Sequence, residues 1–406
     1  MSKWEWKKLG EVCEIARGGS PRPIKEYITS DADGINWIKI GDTDPTGKYI
    51  FSTEEKIKPS GIKKSRYVES GDFLLSNSMS FGRPYILKTN GCIHDGWLVL
   101  KNYQKYLDVN FFYHLLSSPI AQEQFDQEAK GSTVRNLNTD IVSKVYVPIP
   151  PLSEQKRIVK FLDEEFSKIE TLKTNAETNL KNAKELFETT LEKELNPLSL
   201  HSERSEKSSA ELPSGWEWKA LGDVCEILSD LINPTEEKYL NMYHIGGANI
   251  ESETGRIIDL KTSEEEGLTS GKFVFDDSVV LYNKIRPYLK KVARPNFAGI
   301  CSADMYPLSP KNGMLKDFLY YILIASDFTD YAIKHSDRAG MPKLNRKALF
   351  VYDFPLPPLS VQKEIVARLD KLSENVKRLE ANYKQIIANC DELKKSILKK
   401  TFEGES

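Results

Sequence analysis

From residue 365 onward, apolar side chains return at steps of four and three. Ile365, Leu372, Leu379, Ile386 and Leu393 form one series with a step of seven, and Leu369, Val376, Tyr383, Cys390 and Ile397 form a second. Two interleaved seven-residue series predict a coiled-coil seam on a helix over 359–403. A weaker version of the pattern runs through 153–196. Its seam holds Ile158, Leu162, Ile169, Leu172, Ala176, Ala183 and Leu186, with Glu165, Asn179 and Thr190 at other seam positions. Each segment follows a Pro-Pro-Leu-Ser, whose prolines end the preceding strand and whose serines, Ser153 and Ser360, are expected N-caps. Helices of about 40 residues reach roughly 60 Å at 1.5 Å per residue. If the two lie antiparallel their middles meet, and small residues of the first could receive Tyr383, Ile386 and Cys390 of the second. Pairing within the chain is therefore expected, with a coiled coil joining two chains as the alternative.

Elsewhere the periods are short. In 1–152, apolar runs at Trp37-Ile38, Phe73-Leu75 and Trp97-Leu100 predict strands separated by Gly, Asp and Pro turns, and 111–129 predicts a helix interrupted near Pro119. Residues 213–358 repeat that order, with a strand over 273–281, a helix over 315–334 and a last strand over 350–354. Residues 197–212 are Ser-rich and charged and read as a flexible linker. The expected class is α+β: two similar mixed α/β domains, 1–152 and 213–358, joined by two long antiparallel coiled-coil helices in a pseudo-twofold internal repeat.

The repeat is explicit. WEWKKLGEVCEI at 4–15 and WEWKALGDVCEI at 216–227 agree at ten of twelve positions, at an offset of 212. IPPLSEQKRIVKFLDE at 149–164 and LPPLSVQKEIVARLDK at 356–371 agree at ten of sixteen, at an offset of 207. The middles diverge, meeting loosely at Arg-Pro-Tyr in 83–85 and 286–288. Like ends with unlike middles suit one scaffold carrying two different recognition surfaces. A plain tandem duplication with redundant domains is the alternative, though redundant copies should drift throughout.

Charge adds a candidate chemistry. The formal net charge is −2, which does not mark a simple nucleic-acid binder. Basic residues nevertheless gather at corresponding places in both halves: Lys63, Lys64, Arg66, Arg83 and Arg135-Asn136 in the first, and Lys284, Arg286, Lys290, Lys291, Arg338, Lys343 and Arg346 in the second. Such side chains neutralise phosphates and read base edges, which makes them candidate DNA contacts; a solvated face is the plain alternative. Five scattered cysteines without a CxxC pair argue against a disulfide framework or zinc site and suit a reducing cytoplasm. No run reaches the roughly 18 apolar residues of a membrane span. There is no phosphate-binding loop, dinucleotide fingerprint, Asp/Asn-Pro-Pro-aromatic tetrad or HExxH, so neither a catalytic site nor a metal site is expected.

The twin Trp-Glu-Trp-Lys-x-Leu-Gly motifs, the twin Pro-Pro-Leu-Ser-x-Gln-Lys-x-Ile-Val elements (150–159 and 357–366) and the ending Ser396-Ile-Leu-Lys-Lys-Thr-Phe-Glu-Gly404 resemble the specificity subunits of type I restriction-modification enzymes over nearly the whole chain. The resemblance implies that each variable domain reads half of a split DNA target. It implies that the helices set the gap between the halves and dock two modification subunits, which bind S-adenosylmethionine and methylate adenine. Motor-nuclease subunits using ATP and magnesium would complete the complex in the cytoplasm, and this chain would hold no cofactor and no catalytic residue. The first helix departs from the family in lacking the Phe-x-Gly ending. A coiled-coil scaffold without a DNA role and a stand-alone enzyme with an unfamiliar site are the competing readings.

Overall fold

The computed structural model describes residues 4–44, 46–77, 80–129, 136–198, 212–337 and 340–403. Residues 199–211 of the expected linker, together with Arg135, Arg338 and Gly404, lie outside the described residues. The chain divides into two compact units, 1–176 with 385–406, and 177–384. The boundary cuts both long helices, because each half-helix packs on the domain beside it.

In the first unit a five-stranded sheet has the order Glu14–Arg17, Trp97–Lys101, Phe73–Ser76, Pro84–Leu87, Tyr49–Ile50. Strand side chains alternate between faces. Accordingly Phe73, Leu75, Leu98 and Leu100 turn toward the helices Val109–Ser117 and Pro119–Ala129, while Leu74, Trp97 and Val99 join a second core with Ile38, Val68 and Ile93. That second core is closed by an outer sheet ordered Ile28–Thr29, Glu55–Ile57, Ile35–Ile38, Gly91–Ile93, Arg66–Val68. The predicted break near Pro119 is present, since the two helices meet at Ser118.

The second unit uses the same plan. Its inner sheet is Cys225–Ile227, Met305–Pro310, Val280–Asn283, Val292–Ala293, and its outer sheet is Leu231–Ile232, Lys272–Phe275, Gly299–Ser302, Tyr243–Ile245, Lys261–Thr262. In both outer sheets one central pair is parallel, Ile35–Ile38 with Gly91–Ile93 and Tyr243–Ile245 with Gly299–Ser302. Four strands correspond and the fifth does not: Ile28–Thr29 extends one edge of the first sheet, Leu231–Ile232 the opposite edge of the second.

Four expectations for the domains differ from the structure. The single helix expected over 315–334 is two helices, Lys316–Ile324 and Ser326–Lys334, which meet at the extended residue Ala325. The single strand expected over 273–281 is two strands in different sheets, turned where Asp276 Oδ1 accepts from the Ser278 amide and hydroxyl. The expected last strand, 350–354, is displaced to Asp353–Leu356 by a short helix, Arg346–Phe350. The two Arg-Pro-Tyr triplets do not correspond. Pro84-Tyr85 lies on a strand opposite Leu75 and Leu74, whereas Pro287–Leu289 is a 3-10 turn between the left-handed residues Arg286 and Lys290.

The long helices run Leu152–Leu195 and Leu359–Glu403. Each starts one residue before its serine, so Ser153 and Ser360 lie inside the first turn and are not N-caps. In place of a serine cap, the motif glutamine two residues further on fixes the start. Gln155 is fully buried; its Oε1 accepts from Asp108 N at 2.7 Å and its Nε2 donates to Tyr106 O and Pro150 O at 2.8 Å each. Gln362 does the same with Leu315 N, Gly313 O and Pro357 O at 2.9, 2.8 and 2.9 Å. Pairing is antiparallel within each unit. In the first, Lys173 meets Asp391 at 2.8 Å and Lys394 meets Glu170 at 2.5 Å. In the second, Arg368 grips Glu194 at 2.6 Å while Leu191 and Leu195 share a core with Ile365 and Leu369.

One of the two seven-residue series is covered along each helix, and the other is not. Ile158, Leu162, Ile169, Ala176, Ala183, Ile365, Leu369, Val376 and Cys390 are buried, and Leu372, Tyr383, Ile386 and Ile397 are half-buried. Leu172, Leu186, Leu379 and Leu393 are exposed, at 49, 56, 39 and 47%. The series 162, 169, 176, 183, 190 and 369, 376, 383, 390, 397 keeps its cover, whereas the series that starts at 158 and 365 loses it at these four leucines. An unstrained helix drifts about 20° per heptad, so packing that follows one series lets the other turn toward solvent.

Each long helix also presents a carboxylate to its domain. Arg294 binds Asp370 at 2.6 Å and Asp317 at 2.8 Å, stacked over Tyr320 and Tyr321. At the matching place in the first unit His114 Nε2 meets Asp163 at 3.1 Å, with Lys48 over Tyr113. Burial holds the His114, His94 and His244 pKa values below the ordinary 6.5. A folded-state value below the unfolded one means that the unfolded chain takes up protons first. Stability contributed by the neutral rings is therefore expected to be full above pH 7 and to fall as pH drops through 6.5. Denaturant midpoints at pH 7.5 and 5.5 check this, and a higher midpoint at pH 5.5 would contradict it.

Candidate nucleic-acid interface

The predicted basic residues are best placed from the backbone outward. In the first unit the strand Gly91–Ile93 runs into a turn, 94–96, that the chain after the strand Glu14–Arg17 passes closely. Gly18 passes so near the turn that a Cβ there would lie 2.0 Å from His94 O. Asn77, almost fully buried, donates from Nδ2 to Asp95 O at 2.8 Å, and Leu137 N donates to Asn77 O at 2.8 Å, which brings Asn136 alongside. Arg17 Nε donates to Asp95 O at 3.2 Å, and Arg66 Nε to Arg17 O at 2.7 Å. Lys64 donates to Tyr27 OH at 2.6 Å beside exposed Lys63.

One surface therefore gathers Arg17, Arg22, Lys63, Lys64 and Arg66; Asn136 lies beside it, half-buried, with its Oδ1 turned inside. Arg83 does not join it: its guanidinium lies over Tyr85 and reaches Gly47 O at 3.3 Å. Sequence reasoning missed Arg17, Arg22 and the organising Asp95, because an isolated arginine on a short strand carries no periodic or clustering signal.

The turn after Gly299–Ser302 is the counterpart in the second unit. Ladder register aligns Ile38 with Ile245 and Ile93 with Cys301, so Asp95 corresponds to Ala303. Lys284 stands where Asn77 does. Its ammonium donates to Ala303 O, its own carbonyl accepts from Leu344 N at 3.0 Å, and Asp304 lies 3.8 Å away. Burial, helped by nearby Lys343 and Arg346, lowers the Lys284 pKa. Lys284 is thus a strut like Asn77, with its charge largely used inside the fold. Lys343 bridges Ile285, and Arg286 N donates to Pro342 O at 2.8 Å, so Lys284, Arg286, Lys343 and Arg346 gather around one turn.

The structure separates Lys290 and Lys291 from this group. Lys290 pairs with Glu188 of the long helix at 3.1 Å and with Ser326, and Lys291 donates to Gly247 O. Among the described residues no group of three or more His, Cys, Asp or Glu could hold a metal ion, and no helix is long and apolar enough to cross a membrane. The five cysteines are free and buried.

The described geometry has close relatives. The model of the type I restriction modification DNA specificity domain matches residues 1–182 and again 213–388. The EcoDI specificity subunit of Escherichia coli is 31% identical over 74% of this chain and 70% of its own length. Two solved chains share the fold. The HsdS subunit from Thermoanaerobacter tengcongensis has TM-score 0.61 and 22% identity, over 100% of this chain and 98% of its own. A chain from a study of complex assembly and conformational transition in the type I R-M system has TM-score 0.76 and 21% identity, over 99% and 98%. With two copies of the specificity-domain model and a relative above 30% identity covering most of its length, the chain belongs to the family of type I restriction-modification DNA specificity subunits.

Proposed function

We propose that this chain is the DNA-reading, non-catalytic subunit of a type I restriction-modification enzyme, and that each unit reads one half of a split target. The observation that carries the reading is that basic side chains drawn from the divergent middles converge on the same turn in both units, around residues 94–96 and 302–304. The frame is shared and the side chains on it differ, which is what reading two different half-sites requires.

The antiparallel helices serve as spacer and docking rail for two modification subunits. Supporting this, each unit exposes a leucine of each helix at nearly one level, Leu172 with Leu393 and Leu186 with Leu379. A partner docked along the helices would cover both pairs. S-adenosylmethionine, ATP and magnesium are then the business of the modification and motor-nuclease subunits.

The test is duplex binding by the full chain across a salt series. Changing Arg286, Lys343 and Arg346 together to alanine is expected to weaken binding and to flatten the slope of log K against log salt by up to about 2.7, roughly 0.9 for each phosphate left without its cation. Lys290→Ala, which breaks only the bonds to Glu188 and Ser326, is expected to leave that slope unchanged. No duplex binding by the parent chain at low salt would overturn the reading in favour of a scaffold.

A further inference from the structure

A cleft of about 1100 Å³ opens beside the first-unit turn, lined by Ser20 to Ile24, Trp37 to Gly41 except Ile38, Glu55 and His94 to Gly96. Its rim carries an unusual pair. The Arg22 side chain is 81% exposed, and its Nη2 lies 3.5 Å from Asp95 Oδ2. Asp95 is itself held: the Ser20 hydroxyl donates to its Oδ1 at 2.6 Å, and this bond keeps the carboxyl below its ordinary pKa and ionised. The turn beneath is closely packed. The His94 ring sits against two backbone amides, Ile40 N at 3.1 Å from Nε2 and Gly96 N at 2.7 Å from Nδ1, and the neutral ring can accept from one of them.

Two features argue that this pair meets base edges and not phosphates. A phosphate beside Arg22 would lie close to an ionised carboxylate and be repelled. A G·C pair in the major groove, by contrast, offers the O6 and N7 acceptors of guanine next to the N4 amino donor of cytosine. A guanidinium fork flanked by a carboxylate oxygen with free lone pairs is complementary to that pattern.

We propose that Arg22, positioned by Asp95, is a specificity-determining residue of the first unit and reads a G·C pair in one half-site. The proposal rests on the DNA-recognition reading above. It is confined to the first unit, because the second has Ala303 at the position of Asp95 and so no carboxylate at that position to hold an arginine. Two units on one frame thus differ in the chemistry presented at the same turn.

The experiment is selection of a randomised duplex pool by the full-length chain, followed by sequencing, for the parent, Arg22→Ala, Arg22→Lys and Asp95→Asn. The parent is expected to enrich a split motif with a G·C pair in one half. Arg22→Ala should lose about 5- to 150-fold of discrimination at that pair alone, leaving the other half-site intact, and lysine, lacking the fork, should not restore it. Asp95→Asn should blunt preference at the same pair without changing the salt slope, a readout that loss of fold would not give. An unchanged motif for Arg22→Ala, or a uniform fall in affinity with a salt slope flattened by about 0.9, would overturn the proposal while leaving DNA recognition standing. A parent that enriches no motif would remove both.

Discussion

Phe402→Ala is expected to cost about 3–5 kcal/mol, the usual range for removing a fully buried phenylalanine. Phe402 sits in the last turn of the second long helix with no exposed surface, 5.3 Å from the Phe111 ring centroid at a 68° interplanar angle. With Leu398 it enters the same core as Ile158, Leu162, Leu115 and Val147. The truncation opens a cavity and also releases the end of the helix from the first unit. Its counterpart at the end of the first helix, Leu195, is 4% exposed and enters the core of the second unit. The first helix therefore keeps the anchoring function of the Phe-x-Gly ending with a different side chain. Denaturant unfolding of the full chain checks the prediction; a cost below about 1 kcal/mol, the level of an ordinary surface change, would show that the helix end is not held by this ring.

Gln362→Leu should be of similar size despite its conservative volume. Leucine fills the site but offers no polar atoms, so the Leu315 amide and the Gly313 and Pro357 carbonyls lose their partners together. At about 1–3 kcal/mol for each buried group left unsatisfied, and with some relaxation toward solvent, a loss of about 3–5 kcal/mol is expected. Gln155→Leu should act alike in the first unit, through Asp108, Tyr106 and Pro150. Gln385→Leu on the same helix is the control: Gln385 is exposed, its bond to Asn389 lies on the surface, and a change within about 0.5 kcal/mol is expected. Calorimetric midpoints for the three variants decide it, and equal midpoints for Gln362→Leu and Gln385→Leu would refute the role of the buried glutamine in fixing the helix start.

These residues show where sequence reading worked and where it stopped. Repeats, helix periodicity and proline placement exposed the duplicated plan, because each is a local, periodic property. The glutamine of Pro-Pro-Leu-Ser-x-Gln was visible as a motif residue, but its role was not. Two of its three partners sit 47 and 49 positions away in the chain, and only tertiary structure brings them together. Lys284 looked like an exposed cation because neighbouring Lys and Arg suggest a basic patch; it proved to be a strut equivalent to Asn77, a residue without charge. Arg-Pro-Tyr, the one shared triplet of the divergent middles, fell on a strand in one unit and on a turn in the other. Identity of three residues is weaker evidence of correspondence than ladder register.

The covered seven-residue series has a consequence for how such helices can change length. Deletions or insertions of seven residues in both helices, two turns, return that series to nearly the same azimuth, with an error of about 20° each time. Lengths of these helices should therefore change in steps of about 10 Å, at 1.5 Å per residue, with intermediate lengths reachable only by resetting which residues face inward.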